Sequence, residues 1–271
     1  MLKIARITTQ KKNKHRYNIY VDRGQADAYA FSVDEDVLLQ YQLHKGQELD
    51  EALLEEITKQ DETQKFYLKV IYFLSFRMRS EKEILDYLKR HEVEEEQIAS
   101  IMSKLTEQNL IDDFAFAKMF VQTRMNTSTK GPVFIKNELR QKGIKDSIIT
   151  EAIQLFEQEE QLDKVRKIVK KRLKQTGKQS FRKQIQSIQI YLLRSGFSSD
   201  IISEVIKQLE ENKNEASEWD AMIEQGHKLM RKHERKFSGY ELEMKIKEGL
   251  YRQGFQTDII QQFIDEELKA E

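Results

Sequence analysis

Leu192-Leu193-Arg194-Ser195-Gly196-Phe197 reads as the end of one helix and the approach to another. Its frame recurs as Leu139-(x)3-Gly143-Ile144 and Leu250-(x)3-Gly254-Phe255, and each copy leads to an apolar doublet: Ile148-Ile149, Ile201-Ile202 and Ile259-Ile260. A weaker copy, Leu88-(x)3-Glu92-Val93, has Ile98 and Ile101 beyond it. A glycine at C′ takes the left-handed conformation that closes a helix, and the next residue packs back on C3. Counting from Gly196 makes Leu192 C3 and Phe197 C″; the same arithmetic pairs Leu139 with Ile144 and Leu250 with Phe255. Asp200 and Asp258 then fall in the first turn of the next helix, where the dipole favours negative charge. Glu92 would cost roughly 1 kcal/mol as a left-handed non-glycine residue, so that helix carries the strain or ends differently. Copies about 50 to 60 residues apart approach the spacing of helical arrays. Such arrays bind other macromolecules more often than they enclose one enzyme pocket.

Composition points the same way. Of 271 residues 34% are charged and 39% apolar, with one proline (Pro132) and ten glycines. This suits helices with wide solvated faces and speaks against a compact α/β enzyme. Basic and acidic residues both number 46, so any nucleic-acid contact must come from a local patch, not a global field. The chain has no cysteine, which excludes disulfides and thiolate chemistry. The N-terminus lacks a run of signal-peptide character and no stretch approaches the apolar length of a membrane span. A cytoplasmic protein without membrane contact is expected.

The expected fold is mainly α: tandem three-helix repeats in an elongated arc, with a small N-terminal β-meander plus helices. Tyr17, Ile19 and Val21 alternate with polar residues, and Tyr29 and Phe31 follow Gly24, which predicts two or three strands. A helix with Val37, Leu38 and Tyr41 on one face follows, then a second short helix carrying Leu49, Leu53 and Ile57. Residues 1–60 form this module. Three-helix repeats occupy 61–110, 111–156, 157–212 and 213–271, the first with helices near 64–79, 81–91 and 95–109. Ser80-(x)2-Glu83 has the form of a capping box, and Ser238-(x)2-Glu241 repeats it. Pro132 sits where a first helical turn tolerates it.

The strongest charge feature is Lys164 to Lys183. Lys164, Arg166, Lys167, Lys170, Lys171, Arg172, Lys174, Lys178, Arg182 and Lys183 occur with no acid in the window. Val165, Ile168, Val169 and Leu173 keep an apolar stripe, so the reading is an amphipathic helix with a wholly positive solvent side. A second cluster holds Arg231, Lys232, His233, Arg235 and Lys236, and a third runs from Lys11 to Arg16. Positive charge recurring along a repeat suits a periodic, polyanionic partner. No catalytic, metal or cofactor-binding residues are expected. Asp112-Asp113 reads as a helix-entry cap, the five histidines show no ligand spacing, and no glycine loop cradles phosphate. The helix-turn-helix units make poor readers of base edges, because Asp146, Glu151, Asp200 and Glu204 stand where arginine or asparagine is needed.

Several motifs together resemble the RecX family of regulators of bacterial RecA recombinase. They are Ile111-Asp112-Asp113-Phe114-Ala115, Lys130-Gly131-Pro132-(x)2-Ile135-(x)2-Glu138-Leu139-(x)3-Gly143-Ile144 and Leu192-Leu193-Arg194-Ser195-Gly196-Phe197. Tyr17-Asn18-Ile19-Tyr20-Val21 and Phe31-Ser32-Val33 resemble the N-terminal segment of longer members, and residues beyond about 215 form an extra copy relative to short ones. The resemblance implies a cytoplasmic, non-catalytic monomer that binds the RecA–DNA filament and modulates, mostly inhibits, recombination. Single- or double-stranded DNA is a further implied partner, and no cofactor is. The alternatives are an autonomous, non-sequence-specific DNA-binding protein that competes for strands, and a helical-repeat protein-binding scaffold.

Overall fold

The computed structural model describes residues 1–24, 26–175, 179–211 and 215–268. They divide into two compact units, Met1–Phe116 with Lys142–Ile144, and Ala117–Gln141 with Lys145–Glu271.

The first unit opens with an antiparallel meander, β1 (Leu2–Thr9), β2 (Arg16–Asp22) and β3 (Asp27–Asp34). A two-residue strand, β4 (Glu48–Leu49), pairs with the start of β1 and gives the order β3-β2-β1-β4. Ile4, Ile19 and Val33 face inward and meet Val37 of α1 (Glu35–Gln40), Leu43, Leu49 and Ile57. Leu49 is therefore a strand residue, not the helical one expected; two residues give no readable period. The short helix expected around Leu53 and Ile57 also does not stop before residue 64. It is the first half of α2 (Glu51–Ser75), started by the Asp50 carboxylate accepting from the Leu53 amide. No glycine or proline lies between Gly46 and Gly131 to break it. Ile57 fills the sheet core, whereas Tyr67 and Val70 enter a second core with Ile84 and Leu88 of α3 (Glu81–Arg90) and Ile98, Ile101 and Leu105 of α4 (Glu95–Glu107).

Two of the predicted basic and capping features are spent inside this unit. Arg16 donates to Asp61 at 2.8 Å with both side chains largely buried, which removes it from the N-terminal basic turn. Burial raises the Asp61 carboxyl, but hydrogen bonds from Arg16 and Lys65 outweigh it and hold the group below the ordinary range. The capping box forms as read: the Ser80 hydroxyl accepts from the Glu83 amide while Glu83 reaches back to Ser80. Glu83 also takes Arg77 and Lys142, which overcome its burial and bring its pKa down to about 2.

α5 (Asp113–Thr127) leads into the second unit. That unit holds α6 (Pro132–Gln141), α7 (Asp146–Ile153), α8 (Gln158–Gln175), α9 (Phe181–Arg194), α10 (Ser199–Glu211), α11 (Glu215–His233), α12 (Gly239–Arg252) and α13 (Thr257–Phe263), which runs into a π turn at Ile264–Leu268. Pro132 is the first residue of α6, and Asp146, Asp200 and Asp258 stand in first turns. Ser238 departs from expectation. It precedes α12 without any side-chain cap bond, because Gly239 follows it at φ +54° and turns the backbone away from helical geometry.

The turns at Gly196 and Gly254 close as read, and Gly143 has the expected left-handed backbone at φ +82°. The Phe197 amide donates to Leu192 O at 3.2 Å and the Gly196 amide to Leu193 O at 2.9 Å; Phe255 and Gly254 make the same pair of bonds to Leu250 and Tyr251. Glu92 carries the strain: at φ +57° it donates to Lys89 O, and Val93 donates to Leu88 O. Two further copies carry no glycine to mark them in the sequence, Leu105-(x)3-Asn109-Leu110 and Leu38-(x)3-Gln42-Leu43, with φ +54° and +48° at the turn residue.

These turns are also joints between repeats. In the second unit, the C-terminal turn of α9 receives the N-terminal end of α6. Gly131 donates to Ser195 O at 2.7 Å and Val133 to Gly196 O at 3.1 Å. The C-terminal turn of α12 receives α9 in the same way, with the Ser180 hydroxyl donating to Gln253 O at 2.7 Å and Lys183 Nζ to Arg252 O at 3.1 Å. Within the first unit, Ser80 donates to Lys142 O at 2.8 Å. Free donors at one helix start thus satisfy free carbonyls at another helix end, and opposite dipole ends face each other.

Candidate cationic interface

α8 forms because Leu162, Val165, Ile168 and Val169 repeat at helical spacing and bury their stripe, leaving a charged opposite face. The ten cations read as one surface separate here into different roles. Lys164 is half-buried and its ammonium donates to the carbonyls of Arg124 and Met125 at the end of α5. Burial lowers its pKa, and its position complements the negative end of that helix. Arg166 binds Glu159 at 3.0 Å and Asp163 at 2.9 Å, and these bonds raise its pKa. The positive face is therefore not free of acids: two carboxylates just before the window pair with its first arginine, which is half-buried.

Arg172 lies 3.3 Å from the centroid of the Tyr191 ring, whose hydroxyl also contacts Thr129. Lys183 belongs to the α9–α12 joint. Arg182 lines a separate depression of about 550 Å3 with Phe181, Gln186 and Gln189 of α9. Lys178 lies outside the described residues.

What remains is Lys167, Lys170, Lys171 and Lys174, all exposed and with no acid partner among the described residues. Their i, i+3, i+4, i+7 spacing puts all four ammonium groups on one stripe, about 10 Å long at the helical rise of 1.5 Å per residue. The second cluster is on another helix and another repeat. Arg231 and Lys232 end α11, where they complement the dipole, and Arg235 and Lys236 stand exposed in the turn beyond.

Asp112 and Asp113 serve helix starts. Asp112 accepts from the Phe114 and Ala115 amides at 2.9 Å each, and Asp113 accepts from the Glu81 amide at 2.9 Å. Among the described residues no cluster of histidine and acid side chains could hold a metal ion, and no helix is long and apolar enough to cross a membrane.

Successive three-helix units and a β-containing N-terminal module, with a lysine stripe that has no acid partner among the described residues, define a tandem helical-repeat protein. Family models place it further. The Regulatory protein RecX N-terminal domain matches residues 2–50, the first three-helix domain of RecX 67–105, the second 112–153, and the third twice, at 158–206 and 216–264. The chain is 47% identical to regulatory protein RecX of Oceanobacillus iheyensis over 272 residues, covering all of both chains. It is 39% identical to that of Halalkalibacterium halodurans over 97% of this chain and 99% of the relative. A crystal structure of regulatory protein RecX superposes with TM-score 0.70 at 40% identity, covering 76% of this chain and all of that one. RecX from Lactobacillus salivarius gives 0.53 at 36% identity over 55% of this chain and 97% of its own.

The chain belongs to the RecX family of regulatory proteins. The resemblance and the mainly helical repeat fold with a small N-terminal sheet are as expected, with β4 added to the two or three strands read.

Proposed function

We propose that this protein binds the RecA–DNA nucleoprotein filament and inhibits recombinase activity, with Lys167, Lys170, Lys171 and Lys174 of α8 as the principal contact and Arg231, Lys232, Arg235 and Lys236 as a second one. The observation that carries the reading is the four-lysine stripe: single-sign charge with no acid partner among the described residues, in a chain whose basic and acidic residues balance at 46 each. Surface lysines are normally interspersed with acids, so such a stripe is held for an external anion. Family membership supports the regulatory role.

The test is RecA-dependent ATP hydrolysis on single-stranded DNA, titrated with wild-type protein and with the quadruple charge reversal Lys167→Glu, Lys170→Glu, Lys171→Glu and Lys174→Glu. Wild type is expected to inhibit, and the variant to need at least about tenfold more protein, since each rim charge contributes to association. The variant should keep its melting temperature, because none of the four side chains holds the fold. Equal inhibition by the two proteins would remove the stripe as the contact. If the four lysines meet single-stranded phosphate, log K falls with log salt at a slope of about −3.

A further inference from the structure

Beside the stripe, the packing of α8 on α10 leaves a groove of about 530 Å3 lined by Arg166, Lys170, Leu173 and Lys174 of α8 and by Val205, Gln208 and Leu209 of α10. Its two sides differ in chemistry. Leu173, Val205 and Leu209 make an apolar floor, while Arg166, Lys170 and Lys174 stand along one rim at i, i+4, i+8. Arg166 is already oriented by Glu159 and Asp163, so Lys170 and Lys174 supply the unspent charge.

We propose that this groove docks an acidic peptide segment that inserts an apolar side chain between α8 and α10. A sugar–phosphate backbone would satisfy the rim but leave the leucine floor in water. A peptide with carboxylates flanking an apolar residue satisfies both, with the apolar anchor supplying affinity and the charges fixing register and rate of encounter. The identity of the segment's carrier as the recombinase rests on the preceding reading; the peptide chemistry of the groove does not.

Fluorescence anisotropy on the full chain tests this with three labelled probes: a synthetic peptide of glutamates and aspartates around a central Leu-Phe pair, the same peptide with serine in place of both apolar residues, and an oligothymidylate. The Leu-Phe peptide should bind at least about tenfold more tightly than its serine counterpart, the value of one buried large side chain. Leu209→Ser should remove most of that preference and leave oligothymidylate binding within about twofold, whereas Lys170→Glu with Lys174→Glu should weaken both peptides. Equal affinity of the wild-type protein for the two peptides would overturn the proposal, and so would a Leu-Phe preference that survives Leu209→Ser. The peptide comparison on wild type stands even if Leu209→Ser fails to fold, which circular dichroism reports. No recombinase is present in this assay. Loss of the peptide preference with retained ATPase inhibition therefore sinks the groove alone, and the converse sinks the filament reading alone.

Discussion

Gly196 is required for two independent reasons. Its φ of +87° lies where side chains are strained, and a Cβ there would stand 2.4 Å from the Phe134 amide nitrogen. Gly254 and Gly143 meet the same double demand, with Ser180 Oγ and Lys82 Cβ each 2.7 Å from a built Cβ. Glu92 occupies the equivalent turn of the first copy and makes the same turn bonds at φ +57°. Half of the constraint is thus conformational and tolerable, and the other half is steric and absolute. Gly196→Ala is expected to cost about 2–4 kcal/mol, adding overpacking to left-handed strain. Glu92→Gly should instead stabilise by about 0.5–1 kcal/mol, the relieved strain less the extra freedom of the unfolded chain. Denaturant melts of the two variants measure both. A Gly196→Ala cost no larger than the Glu92→Gly gain would mean that strain alone keeps the glycine, and the joint is loose.

At the scale of elements, three serines precede central helices and only two do the same work. Ser80 and Ser180 each accept from an amide of their own helix and donate to a carbonyl at the end of another. Ser238 makes no side-chain cap bond. Ser80→Ala and Ser180→Ala should each lose about 1–2 kcal/mol, a cap plus a buried acceptor left unpaired, and Ser238→Ala should stay within about 0.5 kcal/mol of wild type. Equal effects at all three positions would show that the interhelical bonds contribute nothing. The serine–glutamate spacing alone did not separate Ser80 from Ser238, which both stand three residues before a glutamate; the difference lies in Gly239, the residue after the second serine. What the sequence did carry was local: the turn frame, the Ser80 box, the helix-start aspartates and the strand alternation of Tyr17, Ile19 and Val21. What it hid was nonlocal or very short. β4 is two residues long, α2 serves two cores without a breaker between them, and the carbonyls that hold Lys164 and Lys183 lie about 40 and 69 residues away. The basic window that began at Lys164 excluded Glu159 and Asp163 by one turn of helix, and so overstated the free charge.

Across the whole molecule, the third and fourth repeats match one family model, and the second unit joins them by the turn after α12. In an array each repeat relies on its neighbours, so removing one should injure the next and spare the rest. Truncation after Glu211 deletes the carbonyls of Arg252 and Gln253 that Lys183 and Ser180 hold, and bares the start of α9. Native-state hydrogen exchange on the truncated chain should show protection lost at the first turn of α9, around Phe181 to Gln184. The sheet core around Ile19, Val33 and Ile57, which has no residue in the deleted part, should keep its protection. A uniform loss over both regions would mean that the chain unfolds as one cooperative block and that the joints carry no local stability. Unchanged exchange at α9 would mean that the fourth repeat is appended without supporting the third. With the expected local pattern, the lysine stripe of α8 lies one helix from the exposed edge. ATPase inhibition by the truncated chain then tells whether the fourth repeat acts through its own cations or by bracing α9.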